Sequence, residues 1–576
     1  MNLQVGTSNG RRYLTIVQGY RDPVTKKVRH RTIKSLGYLD DLKELYPDPI
    51  AHFRAVVADM NKKAALENQP IQVKIDPKQT LTQNQANRKN IGYAALSKLY
   101  HELGLHTFFY NNSRSFHSEF NTNNIMKLLV FSRILSPASK KKTYEQRERY
   151  FENTNFSLDD IYRCLTQVVT FKGNLQHYLH RQMKSKFSRS AELVYYDVTN
   201  YYFETDKQDE MKKKGVSKEH RPDPIVQMGL LLDTEGIPIL YELFPGNTND
   251  CETLMPALDK FKREYEIGRT IIVADKGINT ADNIAFCIMK DNGYVFSQTV
   301  RGGNKEFKDF VLDQSGYRKI GDDYKIKSRL YPREIAISNA KGGRSKVRVD
   351  EKQVVFYSAD YDRKAKAERE AVLAKARDLV SNPSKYNKAM SYGAAKYVKN
   401  LVFEPKTGEI MTTKQRPVFD EQKLRDEEKF DGYYAIVTSE WKKQDEEIVE
   451  IYRGLWRIEE AFKVTKSDLE ARPVYLSRHD HIQAHFLICF VALVIARLLA
   501  VCLGNRYTIP RIVESLNKAS GTHLEENWYV FDHADEITDA ISDTLGIDLS
   551  RKYLRLGEIK KLLGATKKPS IRNNSK

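Results

Sequence analysis

Two short runs of sequence decide the fold of this chain: Leu193-Val-Tyr-Tyr-Asp197 and Ile271-Ile-Val-Ala-Asp275. Each run is apolar or aromatic, has the length of a strand and closes on an aspartate. Such runs are typical of buried strands in α/β proteins, which present ligands at their strand ends. An aspartate that closes a single strand is usually structural. Two of them in one α/β unit favour a shared site, to which Asp197 and Asp275 each bring a carboxylate.

The segments around these runs predict a complete α/β unit. Their periodicities predict, in order, a strand closing at Asp197, an antiparallel hairpin of Ile225–Leu232 and Ile237–Leu243, a helix containing Leu254, Leu258 and Phe261, a strand closing at Asp275, a helix Ala281–Lys290 and a strand Tyr294–Val300. The order βββαβαβ is that of a ribonuclease-H-like fold. We therefore predict an α/β protein with a ribonuclease-H-like core.

Changes in composition predict further regions on either side of this core. Alternating residues at Tyr13–Tyr20 and Val28–Lys34 predict a basic β-hairpin, with a turn at Arg21–Thr25. Helical periodicity follows in Ile91–Leu105, Asn124–Leu135 and Leu158–Phe171. The predicted regions are a β-hairpin region (1–67), a linker (68–90), a helical region (91–190), the first part of the core (191–301), a β-rich insertion domain that interrupts it (302–430), the second part of the core (431–503) and a basic C-terminal region (504–576).

The charge of the 576-residue chain favours a polyanionic partner. The net charge is +19 and the pI is near 9.3. Lys and Arg contacts to phosphate dominate affinity for nucleic acids, so double-stranded DNA is one candidate partner. Ribosome-associated proteins and proteins at membrane surfaces carry similar charge, and the balance alone leaves those classes open.

The cysteines and the apolar segments favour a reducing cytoplasm. The five cysteines are scattered, without a Cys-x-x-Cys pair or histidines at zinc spacing. The N-terminus lacks the charged start and apolar core of a signal peptide. His485 and Arg497 interrupt the apolar stretch Ile482–Leu503, leaving a run shorter than the roughly 18 residues of a membrane span. We predict a buried core helix there and no membrane association.

A third acidic residue stands in a predicted helix over Ile448–Leu469. Tyr452, Glu459 and Lys466 are spaced by seven residues, so a continuous helix places all three on one face. Glu460 is about 100° further round. Lys463 lies near the face, where an ordinary ion pair with Glu459 is the alternative interpretation. A hydroxyl, a carboxylate and an ammonium along one helical edge suit a DNA backbone that passes a metal site.

At this point the sequence resembles a known family. The stretch Tyr452–Lys466 is similar to the signature of cut-and-paste insertion-sequence DDE transposases, which reads Tyr, two residues, Arg, three residues, Glu, six residues, Lys. The segments Trp456–Glu460, Arg472–Tyr475, Tyr196–Thr199 and Pro245–Thr248 resemble the same group. One position departs from the signature: Leu455 stands where the Arg belongs. The phosphate contact of that Arg is then absent, or it comes from Arg453 or Arg457.

The resemblance implies a catalytic, metal-binding triad of Asp197, Asp275 and Glu459. Such enzymes use two Mg²⁺ ions, for which Mn²⁺ can substitute, to activate the attacking oxygen and stabilise the leaving one. The resemblance also implies that the residues Tyr452, Arg453, Arg457, Lys463 and Lys466 bind DNA.

The implied function is that of a DNA transposase. It would bind the terminal inverted repeats of its own insertion sequence, cleave one strand and transfer the freed 3′ end to target DNA. Element ends and target, both double-stranded DNA, are the implied partners. A homodimer or higher multimer is the implied assembly, and a nucleoid-associated cytoplasmic protein is expected. Recognition of end sequence is predicted before residue 190, in the basic hairpin and the following helices.

Two other functions remain open at the level of sequence. An aspartyl-phosphate hydrolase also places an aspartate after a strand, but it usually needs a second one two residues on, where Thr199 stands. A domesticated or inactive transposase that only binds DNA is the other alternative, and Leu455 is the residue that favours it. Short inverted repeats on both sides of the coding region would distinguish a mobile element from a domesticated gene.

Overall fold

The computed structural model describes the chain except residues 9, 22–27, 68–77, 79, 81–86, 220, 266, 322, 339–341, 388–389, 392, 405–408, 412–415, 525–526 and 569–576. The chain divides into two compact units, residues 1–82 and residues 83–576. Each unit is described by itself below.

The first unit is a three-stranded antiparallel sheet with two helices. Its elements are β1 (Asn2–Ser8), β2 (Arg11–Arg21), β3 (Val28–Tyr38), α1 (Leu39–Lys43) and α2 (Pro49–Glu67). The predicted hairpin corresponds to β2 and β3, while its turn lies mostly outside the described residues. Strand β1, which was not predicted, pairs with β2. Leu14, Leu39 and Leu42 form a small core.

The second unit contains a nine-stranded mixed sheet in the order β10-β11-β12-β15-β9-β8-β5-β6-β7 and two smaller sheets, β13-β14 and β18-β17-β16-β4. The strands are β4 (Arg88–Asn90), β5 (Leu193–Tyr202), β6 (Ile225–Leu232), β7 (Pro238–Pro245), β8 (Ile271–Ala274), β9 (Gly293–Gln298), β10 (Arg318–Lys319), β11 (Tyr324–Ser338), β12 (Arg344–Ser358), β13 (Val398–Lys399), β14 (Val418–Phe419), β15 (Tyr433–Thr438), β16 (Ser520–His523), β17 (Trp528–Phe531) and β18 (Tyr553–Arg555). The protein is therefore a mixed α/β protein built on one large sheet.

The second unit also contains seventeen described α-helices. They are α3 (Tyr93–Glu102), α4 (Leu105–Ser113), α5 (Thr122–Leu135), α6 (Lys140–Glu145), α7 (Leu158–Val169), α8 (Lys172–Phe187), α9 (Asp250–Tyr265), α10 (Ala281–Met289), α11 (Lys305–Leu312), α12 (Ala359–Ser381), α13 (Glu421–Glu428), α14 (Asp445–Arg453), α15 (Trp456–Lys463), α16 (His479–Cys502), α17 (Ile509–Lys518), α18 (Glu536–Leu545) and α19 (Leu556–Ala565). Some of them pack on the two faces of the large sheet, such as α9 and α10 on one face and α16 on the other. Local chemistry sets some boundaries: α7 begins where Ser157 and Asp160 cap each other's backbone N–H groups.

The predicted order βββαβαβ is confirmed in β5, β6, β7, α9, β8, α10 and β9. Strands β5, β6 and β7 are antiparallel, and β8 and β9 continue the sheet parallel to β5. Side chains alternate along β5. Val194 and Tyr196 enter one core with residues of α9 and α10, and Tyr195 and Tyr201 enter the other, which contains α16.

The structure departs from the predicted separate insertion domain in one respect: the strands β10, β11 and β12 belong to the large sheet, whereas β13 and β14 form a two-stranded sheet. Strands β11 and β12 form a long hairpin, and β12 pairs with β15. Val354 and Phe356 in β12 are buried in the core, which explains why the hairpin extends the sheet instead of forming a separate domain. Beyond it, α12 has a small core of its own, with Leu373, Ala376, Leu379, Ala394, Tyr397, Val398 and Leu424.

The most apolar segment forms α16, as predicted for a core helix. By length and composition alone, this helix could cross a membrane, but 89% of its most apolar window is buried inside the protein. Further along the chain, β16 pairs with β4, whose residues 88–90 were assigned to the predicted linker. The rest of that linker lies mostly outside the described residues.

Candidate active site

Asp197 and Asp275 lie at the same level on neighbouring parallel strands. Tyr196 of β5 is opposite Ala274 of β8, and each aspartate is the next residue. Adjacent strands are about 4.8 Å apart, so the two carboxylates begin from neighbouring backbone positions. The expectation that the first strand ends at Asp197 is wrong. Strand β5 continues to Tyr202 because its second half pairs with β6.

The surroundings of Asp197 disfavour a bare negative charge. Burial raises the pKa of its carboxyl to about 6, and the negative charges of Asp275 and Asp250 contribute to the rise, although Lys218 and a backbone N–H oppose it. Carboxylates crowded in this way repel one another unless a cation lies among them. Oxygen donors of this type are those that hard divalent cations prefer, and the residues therefore fit a metal ion of that class.

Asp275 is held in place by two hydroxyl groups. Its Oδ1 accepts hydrogen bonds from Ser297 Oγ at 2.7 Å and from the Tyr452 hydroxyl at 3.3 Å. Burial raises the pKa of Tyr452, so its hydroxyl keeps its proton and remains a donor. The predicted phosphate ligand Tyr452 is thus a partner of Asp275 in this structure.

The predicted continuous helix over Ile448–Leu469 is wrong. The segment consists of α14, α15 and a π-helix, Val464–Asp468, with a break at Gly454 and Leu455. Tyr452 and Glu459 are therefore on different helices, and seven-residue spacing does not explain how they are placed.

Close packing explains why a glycine stands between α14 and α15. A Cβ atom at Gly454 would lie 1.8 Å from Tyr195 Oη, so only glycine permits this approach to β5. Leu455 is 7% exposed and belongs to the main core. Where the family signature has an Arg, this chain therefore has a leucine that packs in the core.

Asp275 and Glu459 both lie within electrostatic reach of the Tyr434 hydroxyl. Burial raises the pKa of Tyr434, and the charges of Asp275 and Glu459 raise it further. Glu459 itself is exposed on α15. Among the described residues, no three His, Cys, Asp or Glu side chains stand close enough together to hold a metal ion. Asp197 and Asp275 thus start from adjacent strands, while Glu459 is linked to Asp275 only through their common effect on Tyr434.

Lys466 lies on the π-helix, within electrostatic reach of Asp197. Its ammonium is 3.1 Å from Glu219 Oε1 and 5.7 Å from the centre of the Tyr201 ring. Burial lowers the pKa of Lys466 to about 8; Lys218 lowers it further, while Asp197 opposes the change. A partly buried cation therefore stands next to the acidic group.

Sequence comparison decides the family. The family model described as "Transposase DDE domain" matches residues 193–495, more than half of the chain. The chain belongs to the DDE transposases. A second family model, for the N-terminal domain of IS1634 family transposases, matches residues 4–71 of this transposase. DDE domains generally use divalent metal ions, in agreement with the donor chemistry of the site.

Two solved structures similar to this transposase are themselves transposases. One is the piggyBac transposase synaptic complex with hairpin DNA, at 8% identity and a TM-score of 0.36, covering 84% of this chain and 85% of that chain. The other is the Mos1 transposase paired-end complex with the left transposon end, at 14% identity and a TM-score of 0.14, covering 30% of this chain and 57% of that chain. No curated protein matches the transposase.

The other predicted DNA-binding residues of the transposase have varied surroundings. Arg453 pairs with Glu450 at 2.6 Å and lies over the Tyr324 ring. Arg457 lies over the rings of Tyr195 and Trp456. Lys463 is exposed, and its charge opposes the rise that burial causes in the pKa of Asp468. The structure thus places Lys466 within electrostatic reach of Asp197, and it gives Arg453 and Arg457 protein partners.

Three residues at the site of the transposase were missed in the sequence. Lys218 lies 3.4 Å from Asp250 and donates a hydrogen bond to the Val198 carbonyl. Glu219 binds both Lys466 and Arg472. Lys218 and Glu219 lie in the polar connection between β5 and β6, where no periodicity marks them. For Arg472 the similarity of Arg472–Tyr475 to the family was a signal, although it gave no role.

Proposed function

We propose that this DDE transposase binds the terminal inverted repeats of its insertion sequence, cleaves the DNA there and transfers the freed 3′ end to target DNA. One observation carries the proposal: Asp197 and Asp275 occupy equivalent positions on the parallel strands β5 and β8. The proposal takes Glu459 of α15 as the third acid, supported by the electrostatic effect of both Asp275 and Glu459 on Tyr434. This arrangement supports a ribonuclease-H-like catalytic core that is interrupted by the segment from residue 302 to 430.

In this proposal Asp197, Asp275 and Glu459 hold two Mg²⁺ ions, with Mn²⁺ as a substitute. Bound metal would activate the attacking oxygen and stabilise the leaving one. The residues of the chain then have separate tasks. Ser297 and Tyr452 orient the Asp275 carboxylate through their hydrogen bonds. Asp197, whose burial makes a bare charge costly, supplies the second strand-borne ligand.

Contacts to DNA phosphates are assigned to Lys466, Arg453, Arg457 and Lys463. The net charge of +19 supports binding to double-stranded DNA at the element ends and at the target. Two ends must be cut and joined together, so we propose a homodimer or higher multimer on DNA, associated with the nucleoid. End-sequence recognition is assigned to the region before residue 190.

Cleavage of a labelled duplex that carries the native element end tests the proposal. Wild-type protein should nick this duplex with Mg²⁺ and should not nick it in EDTA. Asp197→Asn should reduce nicking by at least about a hundredfold, since a lost metal ligand costs several kcal/mol of transition-state stabilisation. Binding of the same duplex should persist because it depends on Lys and Arg.

A matched control is Asp206→Asn, since Asp206 is an exposed acid in the connection after β5. This variant should nick as wild type does. Nicking by Asp197→Asn at the wild-type rate would refute the assignment of the site. Binding without nicking by the wild-type protein would favour the alternative, a transposase-derived protein that only binds DNA.

A further inference from the structure

Glu219 brings together two cations beside the acidic group. Its Oε1 lies 3.1 Å from the Lys466 ammonium and also contacts the Arg472 guanidinium. Arg472 follows the π-helix that carries Lys466, while Glu219 comes from the distant connection between β5 and β6. A single carboxylate oxygen therefore serves as the shared partner of two cations from another part of the chain.

Aromatic side chains of β5 lie beneath the two cations. The Lys466 ammonium is 5.7 Å from the Tyr201 ring centre, and the Arg472 guanidinium is 5.9 Å from that of Tyr202. Each of these cation–π contacts adds an attraction between one cation and one ring to the ion pair with Glu219. Lysine and arginine together match the oxygens of a phosphodiester as well as those of a carboxylate.

This ion-pair group is more accessible than the buried ion pair of Arg189 and Asp233. The side chains of Lys466, Glu219 and Arg472 are 13%, 25% and 25% exposed. By contrast, the buried pair of Arg189 and Asp233 is 1% and 4% exposed. An anion from solvent can therefore reach the cations once Glu219 moves, whereas it cannot reach Arg189.

We propose that Lys466 and Arg472 form one binding site for a DNA phosphate, and that Glu219 occupies this site as an internal anion until DNA displaces it. The proposal rests on the proposed function, in which Lys466 contacts DNA. Arg472 becomes a second phosphate ligand, and Glu219 becomes a competitor of DNA. The exchange conserves charge at the two cations, because one anionic group replaces another. Glu219 also keeps both cations positioned in the DNA-free protein, at the cost of a weaker first encounter with DNA.

Equilibrium binding to DNA tests this competition. The full-length protein is titrated into a fluorescently labelled duplex of 30 base pairs, in EDTA and at fixed KCl, and anisotropy is recorded. Glu219→Gln should bind about tenfold more tightly than wild type, since a hydrogen bond between charged groups contributes roughly 1.5–3 kcal/mol and part of it returns in the complex. Glu210→Gln is the matched control, because Glu210 is an exposed acid in the same connection. It removes the same charge and should tighten binding about twofold at most.

Further variants tie the effect to the two cations. Lys466→Ala and Arg472→Ala should each weaken binding about tenfold. In the Lys466→Ala/Arg472→Ala background, Glu219→Gln should change affinity no more than Glu210→Gln does. Glu219→Ala serves as a second variant if Glu219→Gln unfolds, as judged by its thermal midpoint.

The outcomes separate this inference from the proposed function. If the cation variants weaken binding but Glu219→Gln is no tighter than Glu210→Gln, Glu219 does not compete with DNA and the inference is wrong. Weaker binding by Glu219→Gln would likewise refute competition and leave only a positioning role. If the cation variants bind as wild type does, the phosphate contact itself is wrong, whereas Mg²⁺-dependent nicking still tests the catalytic proposal separately.

Discussion

Glu459 and Glu460 are adjacent acids of α15 with different surroundings. Glu459 is exposed and lies within electrostatic reach of Tyr434. Glu460 Oε2 accepts a hydrogen bond at 2.7 Å from Arg497, a buried residue of α16. Consecutive helical residues point about 100° apart, which explains why one acid faces the site and the other the core. Both residues are glutamates, so the different directions of their side chains distinguish their roles.

Two conservative substitutions should separate the roles of these acids. Glu459→Gln should reduce Mg²⁺-dependent nicking by at least about a hundredfold without a change in stability, because an exposed proposed metal ligand is lost. Glu460→Gln should retain nicking but lower the free energy of unfolding by about 1–3 kcal/mol, since Arg497 loses its charged partner. Nicking rates and urea unfolding measure the two effects. If Glu460→Gln lost nicking as severely as Glu459→Gln while folded, the orientation of α15 would be wrong.

At the scale of elements, the break between α14 and α15 sets the geometry of the site. Gly454 lets the chain approach Tyr195 of β5, and Leu455 anchors the turn in the core. Tyr452, before the break, reaches Asp275, while Lys466, after α15, lies near Asp197.

Gly454→Ala should therefore disturb both stability and nicking. The added Cβ would lie 1.8 Å from Tyr195 Oη, so the backbone or the ring must shift. We expect a loss of about 1–3 kcal/mol in the free energy of unfolding, as for other overpacked positions. Urea unfolding measures this loss, and nicking should fall with it.

A double-mutant cycle with Tyr195→Leu tests the cause of that loss. Leucine removes the aromatic atoms nearest to the new Cβ, so the penalty of Gly454→Ala should be smaller in this background. Additive effects would show that contact with Tyr195 is not the reason for the glycine.

At the scale of the whole molecule, the chain consists of two compact units with separate cores. Helices α3 to α8 share the main core with α16, although they precede the catalytic sheet in the sequence. A fragment of residues 1–190 would therefore expose much of that core. The unit boundary near residue 82 is a more suitable place to divide the chain.

Deletion of residues 1–67 should separate recognition from folding. The remaining unit should keep its thermal midpoint within a few degrees of the main transition of the full chain, because the described residues of the two units form separate buried clusters. Preference for native element ends over a scrambled duplex should fall, since the basic sheet is assigned to recognition. Competition binding measures that preference. If the shortened protein preferred native ends as strongly as the full chain does, residues 1–67 would not recognise the end sequence.

The stability of the whole chain should fall as the pH drops below about 6.5. Burial lowers the pKa of His101 to about 4 and that of His180 to about 3. In both cases the folded pKa is below the unfolded one, so the unfolded chain binds more protons in this window and stability is lost on acidification. Each histidine should contribute about 1.4 kcal/mol per pH unit between pH 6.5 and its folded pKa.

Urea unfolding between pH 7 and pH 5 measures this dependence. His180→Leu should reduce the pH dependence of the free energy of unfolding by the contribution of one histidine, because the buried imidazole that takes up a proton on unfolding is gone. His479→Gln, at an exposed position, should leave it unchanged. The same slope in His180→Leu and wild type would refute the role of His180.

The sequence by itself determined the strands of the core, their order and the acids that they carry. Runs such as Ile271–Ala274 are buried on both faces, so composition alone predicts them, and the aspartates follow directly. Tertiary packing decided what local patterns cannot contain. It broke the predicted helix at Gly454, where β5 comes close, and it placed β11 and β12 in the large sheet. It also brought Glu219 to Lys466 across 247 positions of sequence. The periodicity of a segment indicates which of its side chains are buried. Pairing between distant segments depends on which surfaces lie next to each other once the core has folded.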